Sequence, residues 1–465
     1  MDFSRETYVA RRRRLRETIG EGVIVLFGNN DSPINYPANA YHFRQDSTFM
    51  YYTGLTRDGL VLVIDCDHDR EILLGNDIDL DDIVWMGFTP SVKDLAESAG
   101  IANSEPLSGL VRYLAPGIKN GSTHILPPYR YDNLLMLVEA TGLKSVQIRE
   151  CASVKLIKAV IDQRAVKSDE EVLQIEKACE VGYEMHVAAM RMCRPGVTER
   201  EIAGVIEGIS LSKGGGFSFL PIVSTHGEIA HGFPRPVPVE PGRLLLVDCG
   251  AETLGCYCSD NTRVTPVNGK FDSRQREIYD IVLAAHDRVI KVSRPGLKWR
   301  DAHFEAARII ADGLKDLGLL RGDTDEILAA GAHAIAFTHG LGHMMGMDVH
   351  DMEGLGQVYV GFDEEVRPQT DQFGTNFLRC GRRLQKGFVM TDEPGIYFIP
   401  QLIDAWRSEG KFKEFINYDK FDTYKDFGGI RLEDDLLITD DGCKVLGPHI
   451  PITVDEVEAI AGAGL

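Results

Sequence analysis

Three histidines lie within a stretch of twelve residues, in a chain that holds only 13 histidines. They belong to the segment 338–351, which reads Thr-His-Gly-Leu-Gly-His-Met-Met-Gly-Met-Asp-Val-His-Asp. Three glycines are interleaved with them, although each would cost a helix about 1 kcal/mol relative to alanine. Because glycine permits close approaches of the backbone, the segment indicates a loop that brings imidazoles to a ligand or a metal. A glycine-rich turn with solvated histidines is the alternative.

Four apolar segments that we predict to be strands each carry a candidate ligand acid. The acids are Asp248 in 243–250, Asp260 in 256–263, Glu393 in 388–395, and Glu433, which we place inside a strand over 429–438. An ionised carboxylate is costly to bury unless it is paired or binds a metal, so packing alone explains the set poorly. An oxygen-rich set with one imidazole suits a pair of divalent cations of the Mn, Co or Zn type better than a structural zinc. A hairpin through 252–255 would bring the first two acids together.

Composition excludes several classes of protein. The chain has 465 residues, which is long enough for more than one domain. Its formal net charge of -20 argues against nucleic acid as a partner, because phosphate binding requires a basic face. No run of about 18 apolar residues occurs, so we expect no membrane span. Nine cysteines without the spacing of a disulfide framework indicate reduced thiols and a cytoplasmic location.

The first 160 residues alternate predicted strands with predicted helices. Val23–Phe27 has the length and apolar content of a buried strand, and Tyr131–Thr141 has helical spacing. We expect a further strand over Val146–Arg149 and a connecting helix over Ser153–Val160. This alternation predicts a mixed α/β domain over residues 1–160.

A different pattern follows residue 160. Ser168 and Glu171 form a capping box that opens a helix to about Met192, where Arg-Pro-Gly at 194–196 ends it. The same tripeptide recurs at 294–296, again between two predicted helices. Strands that carry histidine or carboxylate residues follow in both cases. We interpret 161–465 as two helix–helix–strand halves around a shared cleft, with two unrelated helix pairs as the alternative.

These motifs together resemble the pita-bread metallopeptidases that cleave Xaa-Pro bonds, prolidase and aminopeptidase P. The matching segments are Phe43-Arg-Gln-Asp-Ser47 with Tyr52-Thr-Gly54, Val247-Asp248-Cys-Gly250, Ser259-Asp260-Asn-Thr-Arg263, His339-Gly-Leu-Gly-His343, Glu393-Pro-Gly-Ile-Tyr397 and Gly429-Ile-Arg-Leu-Glu433-Asp. The resemblance implies an α/β (α+β) fold. In it, an N-terminal mixed α/β domain over 1–160 precedes a C-terminal pita-bread catalytic domain of duplicated helix–helix–strand units over 161–465. It also implies a homodimer. The loop between Asp248 and Asp260 is one residue longer than is common in the family, which predicts a β-bulge.

The resemblance further implies a centre of two divalent cations, with Mn²⁺ preferred and Co²⁺ or Zn²⁺ as alternatives. The implied ligands are Asp248, Asp260, His343, Glu393 and Glu433. A hydroxide that bridges the cations would attack the substrate, and Glu393 would also act as general base. Three further histidines match family positions that contact the substrate or support the ligands, namely His231, His339 and His350.

The segments between the ligands favour a dipeptidase. Between His343 and Glu393 lie 49 residues, more than a minimal member of the fold needs. Within them, the segment 377–383 resembles the prolidase segment whose arginine, here Arg379, binds the free carboxylate of a dipeptide. A planar guanidinium suits such bidentate binding. Arg431 lies two residues before Glu433 on the same strand face, so it is a second candidate for substrate binding.

The favoured substrate is therefore a small peptide with proline at the second position. The favoured activity is that of an Xaa-Pro dipeptidase (prolidase). Aminopeptidase P, which acts on longer peptides, is the alternative. A catalytically inactive binding module on the same fold is a third reading, which the presence of all five ligand residues disfavours.

Overall fold

The computed structural model describes residues 3–465, so Met1 and Asp2 of the predicted N-terminal domain lie outside the described residues. Two compact units make up the chain. One comprises the residues up to Arg164 together with Gly354–Tyr359, and the other comprises Ala165–Glu353 and Val360–Leu465. Within residues 3–465, no helix has both the length and the apolar character that a membrane crossing requires.

The first unit is built on one mixed sheet with helices around it. Its strands are β1 Val23–Phe27, β2 Val61–Asp65, β3 Arg70–Leu74, β4 Asn103–Glu105 and β5 Thr123–Ile125. Its helices are α1 Arg5–Ile19, α2 Ser47–Thr53, α3 Leu80–Met86, α4 Val92–Ser98, α5 Val111–Leu114, α6 Tyr131–Thr141, α7 Ser145–Glu150 and α8 Val154–Arg164. The sheet order is β4-β3-β2-β1-β5, with β1 antiparallel to β2 and parallel to β5. The mixed α/β architecture predicted for this part of the chain is confirmed.

One element of this unit was predicted wrongly. Residues 146–149 belong to the helix α7 and not to a strand. The side chain of Gln147 accepts a hydrogen bond from the backbone N–H of Lys144 at 3.0 Å, which closes the first helical turn. In a strand Val146 and Ile148 would point to the same face, but in the helix Val146 is exposed and Ile148 is buried. A run of four residues is too short for its apolar spacing to show this in advance.

The second unit carries the remaining strands. They are β6 Gly216–Phe217, β7 Ile222–Ser224, β8 Leu244–Cys249, β9 Ala251–Glu252, β10 Asn261–Pro266, β11 Val389–Asp392, β12 Gly395–Tyr397, β13 Gly429–Arg431, β14 Asp434–Ile438 and β15 Cys443–Val445. From Ala165 onward the helices are α9 Asp169–Met192, α10 Glu199–Lys213, α11 Ser273–Val292, α12 Trp299–Asp316, α13 Thr324–Ala330, α14 Gln357–Val360, α15 Pro400–Ser408, α16 Tyr418–Asp422 and α17 Val454–Ile460. Of these, α14 lies mostly within Gly354–Tyr359, which belongs to the first unit.

The predicted duplication is confirmed in this unit. Helix α9 packs on α10 beside the sheet β10-β8-β7, and α11 packs on α12 beside the sheet β11-β14-β15. Helix α9 opens with the capping box expected at Ser168, whose hydroxyl accepts from the N–H of Glu171. Gly196 and Gly296 end the two Arg-Pro-Gly stops with φ of 91° and 89°. Glycine adopts this backbone conformation without a steric penalty, so both halves turn at corresponding points.

Candidate metal centre and active site

Asp248 and Asp260 lie on one face of an antiparallel strand pair. Strand β8 pairs with β10 so that Asp248 is opposite Thr262 and Cys249 is opposite Asn261. The same register continues to the bridge between Glu252 and Cys258, so the predicted β-bulge is absent and that expectation was wrong. The extra length of the loop is accommodated at its tip, where Cys256 adopts a φ of 63°.

Glu393 and Glu433 face each other across a second antiparallel ladder. Asp392 pairs with Asp434 where β11 ends and β14 begins, and Gly395 pairs with Arg431 where β12 begins and β13 ends. The residues between these pairs place Glu393 opposite Glu433. Glu433 lies between the end of β13 and the start of β14, so our expectation that it lies inside a strand was wrong. Its backbone bonds instead to Thr262, with the Glu433 N–H donating to the Thr262 carbonyl at 3.1 Å.

His343 is oriented by its own backbone surroundings. Its N–H donates to Oγ1 of Thr391 at 3.0 Å, and its ring Nδ1 donates to the carbonyl of Met344 at 3.0 Å. The Nε2 atom faces the acids, 3.4 Å from Oδ2 of Asp260 and 3.7 Å from Oε1 of Glu393. A neutral imidazole whose other nitrogen is fixed by a carbonyl is the usual form of a metal-binding histidine.

Buried acids and this imidazole form a donor set that fits a divalent cation. One donor atom from each of Asp260, His343 and Glu433 lies within 4.8 Å of the others. Oδ1 of Asp248 and Oδ1 of Asp260 are buried, and neither has a hydrogen-bond partner among residues 3–465. Burial, followed by repulsion from neighbouring acids, raises the pKa of Asp260 and of Glu433 well above the usual range. A cation would relieve both the missing partners and the repulsion.

Glu393 borders the same set. Its Oε1 lies 3.4 Å from Oγ1 of Thr391, and its Oε2 lies 3.8 Å from Nδ1 of His339. Burial raises the pKa of Glu393, while His343 and Arg431 act in the opposite direction. The five predicted ligands are thus brought together, and each lines one cavity of about 810 Å³.

Arg431 lies inside this cluster and makes protein contacts that the sequence did not predict. It donates through Nη2 to Asp248, through Nε to Thr262 at 3.1 Å, and through Nη1 to the Tyr397 hydroxyl at 3.0 Å. These contacts fix the predicted ligand Asp248 and its neighbours Thr262 and Tyr397. Arg431 is also within the cavity wall, but three of its donors are directed at the protein.

His339 continues this chain of hydrogen bonds. Its Nδ1 donates to the carbonyl of Gly340 at 2.7 Å, so its Nε2 accepts from the Tyr397 hydroxyl at 2.7 Å. Burial, followed by the charge of Arg431, lowers the pKa of His339 to about 3. His339 is therefore neutral and supports the ligands through Tyr397.

His350 and Arg379, which both line the cavity, share the acid Glu353 as a hydrogen-bond partner. The Nδ1 of His350 donates to Oε2 of Glu353 at 3.2 Å, and Nη1 of Arg379 donates to the same oxygen at 2.6 Å. The ring of His350 lies 4.1 Å from the ring of His343, centroid to centroid. Burial, followed by the proximity of His343, lowers the pKa of His350.

His231 is the most exposed of the predicted site residues, and it lies in the loop after β7. It lines the same cavity as the ligands. Apolar side chains form much of the remaining wall, namely Phe219, Leu220, Ile222, Phe233, Val349, Phe373, Phe377, Ile399 and Leu402. The cavity can thus accept an apolar ligand against polar groups at its base.

A second layer of charges lies behind the two opposed glutamates. His286 of α11 places Nε2 3.1 Å from Oδ2 of Asp434, and Arg263 donates to Oδ1 of Asp434 at 2.8 Å. Burial opposes ionisation, but these two cations hold the pKa of Asp434 below its usual range. Asp392, which pairs with Asp434 in the ladder, is buried, and its carboxylate lacks a hydrogen-bond partner in the described chain.

Sequence reasoning missed several of these residues. Asp434 directly follows Glu433, and Glu353 is three residues after His350, so adjacency to a candidate was an available signal. Thr262 and Tyr397 lie inside matching segments but carry no chemistry that marks them alone. No sequence pattern indicates His286, because its contact depends on how α11 packs on the second sheet.

Two family models match the chain. The description of the first is metallopeptidase family M24, over residues 174–440, and that of the second is aminopeptidase P, N-terminal domain, over residues 8–126. A probable Xaa-Pro aminopeptidase of Aspergillus fumigatus is 32% identical over 448 residues, which are 94% of this chain and 90% of the relative. The Xaa-Pro dipeptidase of Homo sapiens is 28% identical over 475 residues, which are 98% of this chain and 92% of the relative.

A solved structure is similar over the whole chain. It is the zinc-substituted aminopeptidase P of E. coli in complex with product, with a TM-score of 0.79 and 29% identity. The match covers 99% of each chain. The N-terminal α/β unit and the duplicated second unit thus have the architecture of aminopeptidase P, which confirms the predicted fold.

Proposed function

We propose that this chain, which belongs to metallopeptidase family M24, hydrolyses the bond between an N-terminal residue and proline, and that its preferred substrates are Xaa-Pro dipeptides. Relatives named Xaa-Pro aminopeptidase and Xaa-Pro dipeptidase match more than nine-tenths of the chain, which supports the proposal that the Xaa-Pro bond is the one cleaved. The preference for dipeptides rests on one observation: Arg379 lies in the wall of the cavity that the ligand residues line.

The residues that would hold divalent cations are Asp248, Asp260, His343, Glu393 and Glu433. Divalent cations bound there would lower the pKa of a coordinated water, which makes a nucleophile available near neutral pH. Mn²⁺ suits an oxygen-rich donor set with one imidazole, and Co²⁺ and Zn²⁺ remain alternatives.

The protein's own residues then orient the substrate and move the proton. Glu393 would carry a proton from the nucleophile to the proline nitrogen, since it borders both the ligand set and the open cavity. His231 and His350 would donate hydrogen bonds to the substrate, because both line the same cavity as the ligand residues. Arg431 and Tyr397 would keep Asp248 and His339 in place through the hydrogen bonds described above.

Arg379 would bind the free C-terminal carboxylate of a dipeptide. Its side chain is 36% exposed, and its Nη1 is engaged by Glu353. A guanidinium has five N–H donors, so the remaining ones can form a bidentate pair with a second carboxylate. A longer peptide lacks a carboxylate at this distance from the scissile bond.

Aminopeptidase P activity on longer peptides is the second candidate. It is favoured by the fungal relatives that bear the name Xaa-Pro aminopeptidase. It predicts that peptides extended beyond proline are cleaved at least as well as dipeptides.

Turnover of an Xaa-Pro dipeptide and of a pentapeptide that begins with the same two residues separates the two activities. We expect a higher kcat/KM for the dipeptide and a selective loss of it in Arg379→Ala. Arg367→Ala is a matched control, because Arg367 is exposed and pairs with Glu364 away from the cavity wall. Faster cleavage of the pentapeptide, unaffected by Arg379→Ala, would establish the aminopeptidase instead.

A further inference from the structure

Glu353 places a carboxylate beside the arginine that faces the cavity. One of its oxygens, Oε2, accepts from Nη1 of Arg379 at 2.6 Å and from Nδ1 of His350 at 3.2 Å. Its side chain is 21% exposed, less than that of either partner. The proposed mechanism gives this acid no role.

The environment of Glu353 keeps it negatively charged. Burial opposes ionisation, but the hydrogen bond and charge of His350 and the charge of Arg379 lower the pKa of Glu353 to about 2. Its other oxygen, Oε1, is buried and has no hydrogen-bond partner among the described residues. Because the pKa of His350 is itself lowered, Arg379 is the partner that carries a positive charge at physiological pH, and the pair of Glu353 and Arg379 is close to neutral.

A neutral pair attracts a second carboxylate less strongly than a free guanidinium does. A substrate carboxylate that reaches the free donors of Arg379 lies within a few ångströms of Glu353, so the two anions repel each other. This repulsion is large in a partly buried wall, where the effective dielectric constant is well below that of water. The same repulsion acts on free proline, the product that carries the carboxylate.

We propose that Glu353 is a specificity-determining residue that limits the affinity of Arg379 for a free C-terminal carboxylate and so promotes the release of proline. This inference rests on the proposed function, in which Arg379 binds that carboxylate. Glu353 would set how tightly the carboxylate is bound. The C-terminal amide of the same dipeptide lacks that carboxylate, so it is the informative comparison.

Glu353→Gln tests the proposal, because the amide keeps an oxygen that accepts from Arg379 and His350 while the charge is lost. The readout is the KM of an Xaa-Pro dipeptide divided by the KM of its C-terminal amide, together with inhibition by proline. We expect the ratio and the inhibition constant of proline each to fall about tenfold. An effect through His350 would change both substrates alike and cancel in the ratio.

Glu365→Gln is the matched control, since Glu365 pairs with Arg383 outside the cavity wall, and we expect it to leave the ratio unchanged. Glu353→Ala removes the same charge and gives a second measurement if the glutamine variant folds poorly. A ratio that stays the same or rises in both variants would overturn the role of Glu353. Arg379→Ala should raise the ratio. If Arg379→Ala raises the ratio while the Glu353 variants leave it unchanged, only the dipeptidase proposal survives. If Arg379→Ala does not raise the ratio, both proposals fail.

Discussion

Glu393 lies directly opposite Glu433 at the point where two antiparallel strand pairs meet. Two facing carboxylates in a buried site repel each other, and each occupies a position where an apolar side chain could pack instead. The arrangement has a physical reason only if a positive charge lies between or beside them. We make four predictions from this relationship and from the buried charges elsewhere in the same unit.

Replacement of Glu393 by glutamine should abolish most of the activity while cations still bind. The amide keeps one ligand oxygen but cannot carry the proton to the leaving nitrogen, so we expect a loss of about 100-fold or more in kcat for an Xaa-Pro dipeptide. Elemental analysis of the purified variant checks that the metal content is unchanged. A wild-type rate with full metal content would contradict the role assigned to Glu393.

Divalent cations should stabilise the folded chain through Asp260. Binding to the folded state at a hundred times Kd contributes about 2.7 kcal/mol, so the Tm should rise by several degrees when Mn²⁺ is added to chelator-treated protein. In Asp260→Asn we expect most of this rise to disappear, because the variant loses a charged donor of the set. An undiminished rise in Asp260→Asn would place the binding elsewhere, and calorimetry with Mn²⁺ measures the affinity directly.

Stability should decrease with rising pH because of His286. Burial lowers the pKa of His286, but Asp392, Asp287 and Asp434 outweigh burial and raise this pKa to about 10. A raised pKa in the folded state means that the contribution is full below the unfolded value of about 6.5 and is lost as pH approaches 10. We expect about 1–3 kcal/mol less stability at pH 9.5 than at pH 6.5 from this group.

Urea unfolding of wild type and His286→Gln at both pH values measures this difference. The variant should be less stable at pH 6.5 and should show a smaller loss toward pH 9.5. His449→Gln is the control, because His449 is exposed and pairs only with Glu456 at the surface. Equal pH dependence in wild type and His286→Gln would show that His286 is uncharged.

The buried pair of Lys167 and Asp351 should be a strong stability determinant. Their side chains are each 1% exposed, with Nζ and Oδ2 2.8 Å apart. Lys167→Met leaves the carboxylate buried without this partner, which should cost about 3–5 kcal/mol. The double variant with Asp351→Leu should recover part of the loss, whereas the exposed pair of Lys213 and Glu184 should be worth less than about 1 kcal/mol. Losses that simply add in the double variant would show that the pair is not coupled.

Local signals in the sequence predicted much of this fold. Capping residues and the Arg-Pro-Gly stops define α9 to α12 because they act on the backbone within a few residues. The short run at 146–149 was misread because the apolar spacing of four residues cannot distinguish a helix from a strand. The break at Glu433 was also missed, since the apolar residues on both sides read as one strand.

The composition of the site was more predictable than its geometry. Acids within apolar segments indicate metal ligands, because buried charge requires compensation. The opposition of Glu393 and Glu433 depends on a strand register between segments 40 residues apart, which no local pattern encodes. Glu353 was missed for the same reason: its importance comes from Arg379, which reaches it from another loop.

The candidate metal centre draws its residues from both halves of the duplicated unit. Asp248 and Asp260 come from the hairpin of the first half, while His343, Glu393 and Glu433 come from the second, and the backbone bridge between Thr262 and Glu433 joins them. The first half supplies two of the five donor residues and the second half supplies three. A centre that uses all five donors therefore forms only when the two halves are docked correctly, so cation affinity reports on how the halves have assembled.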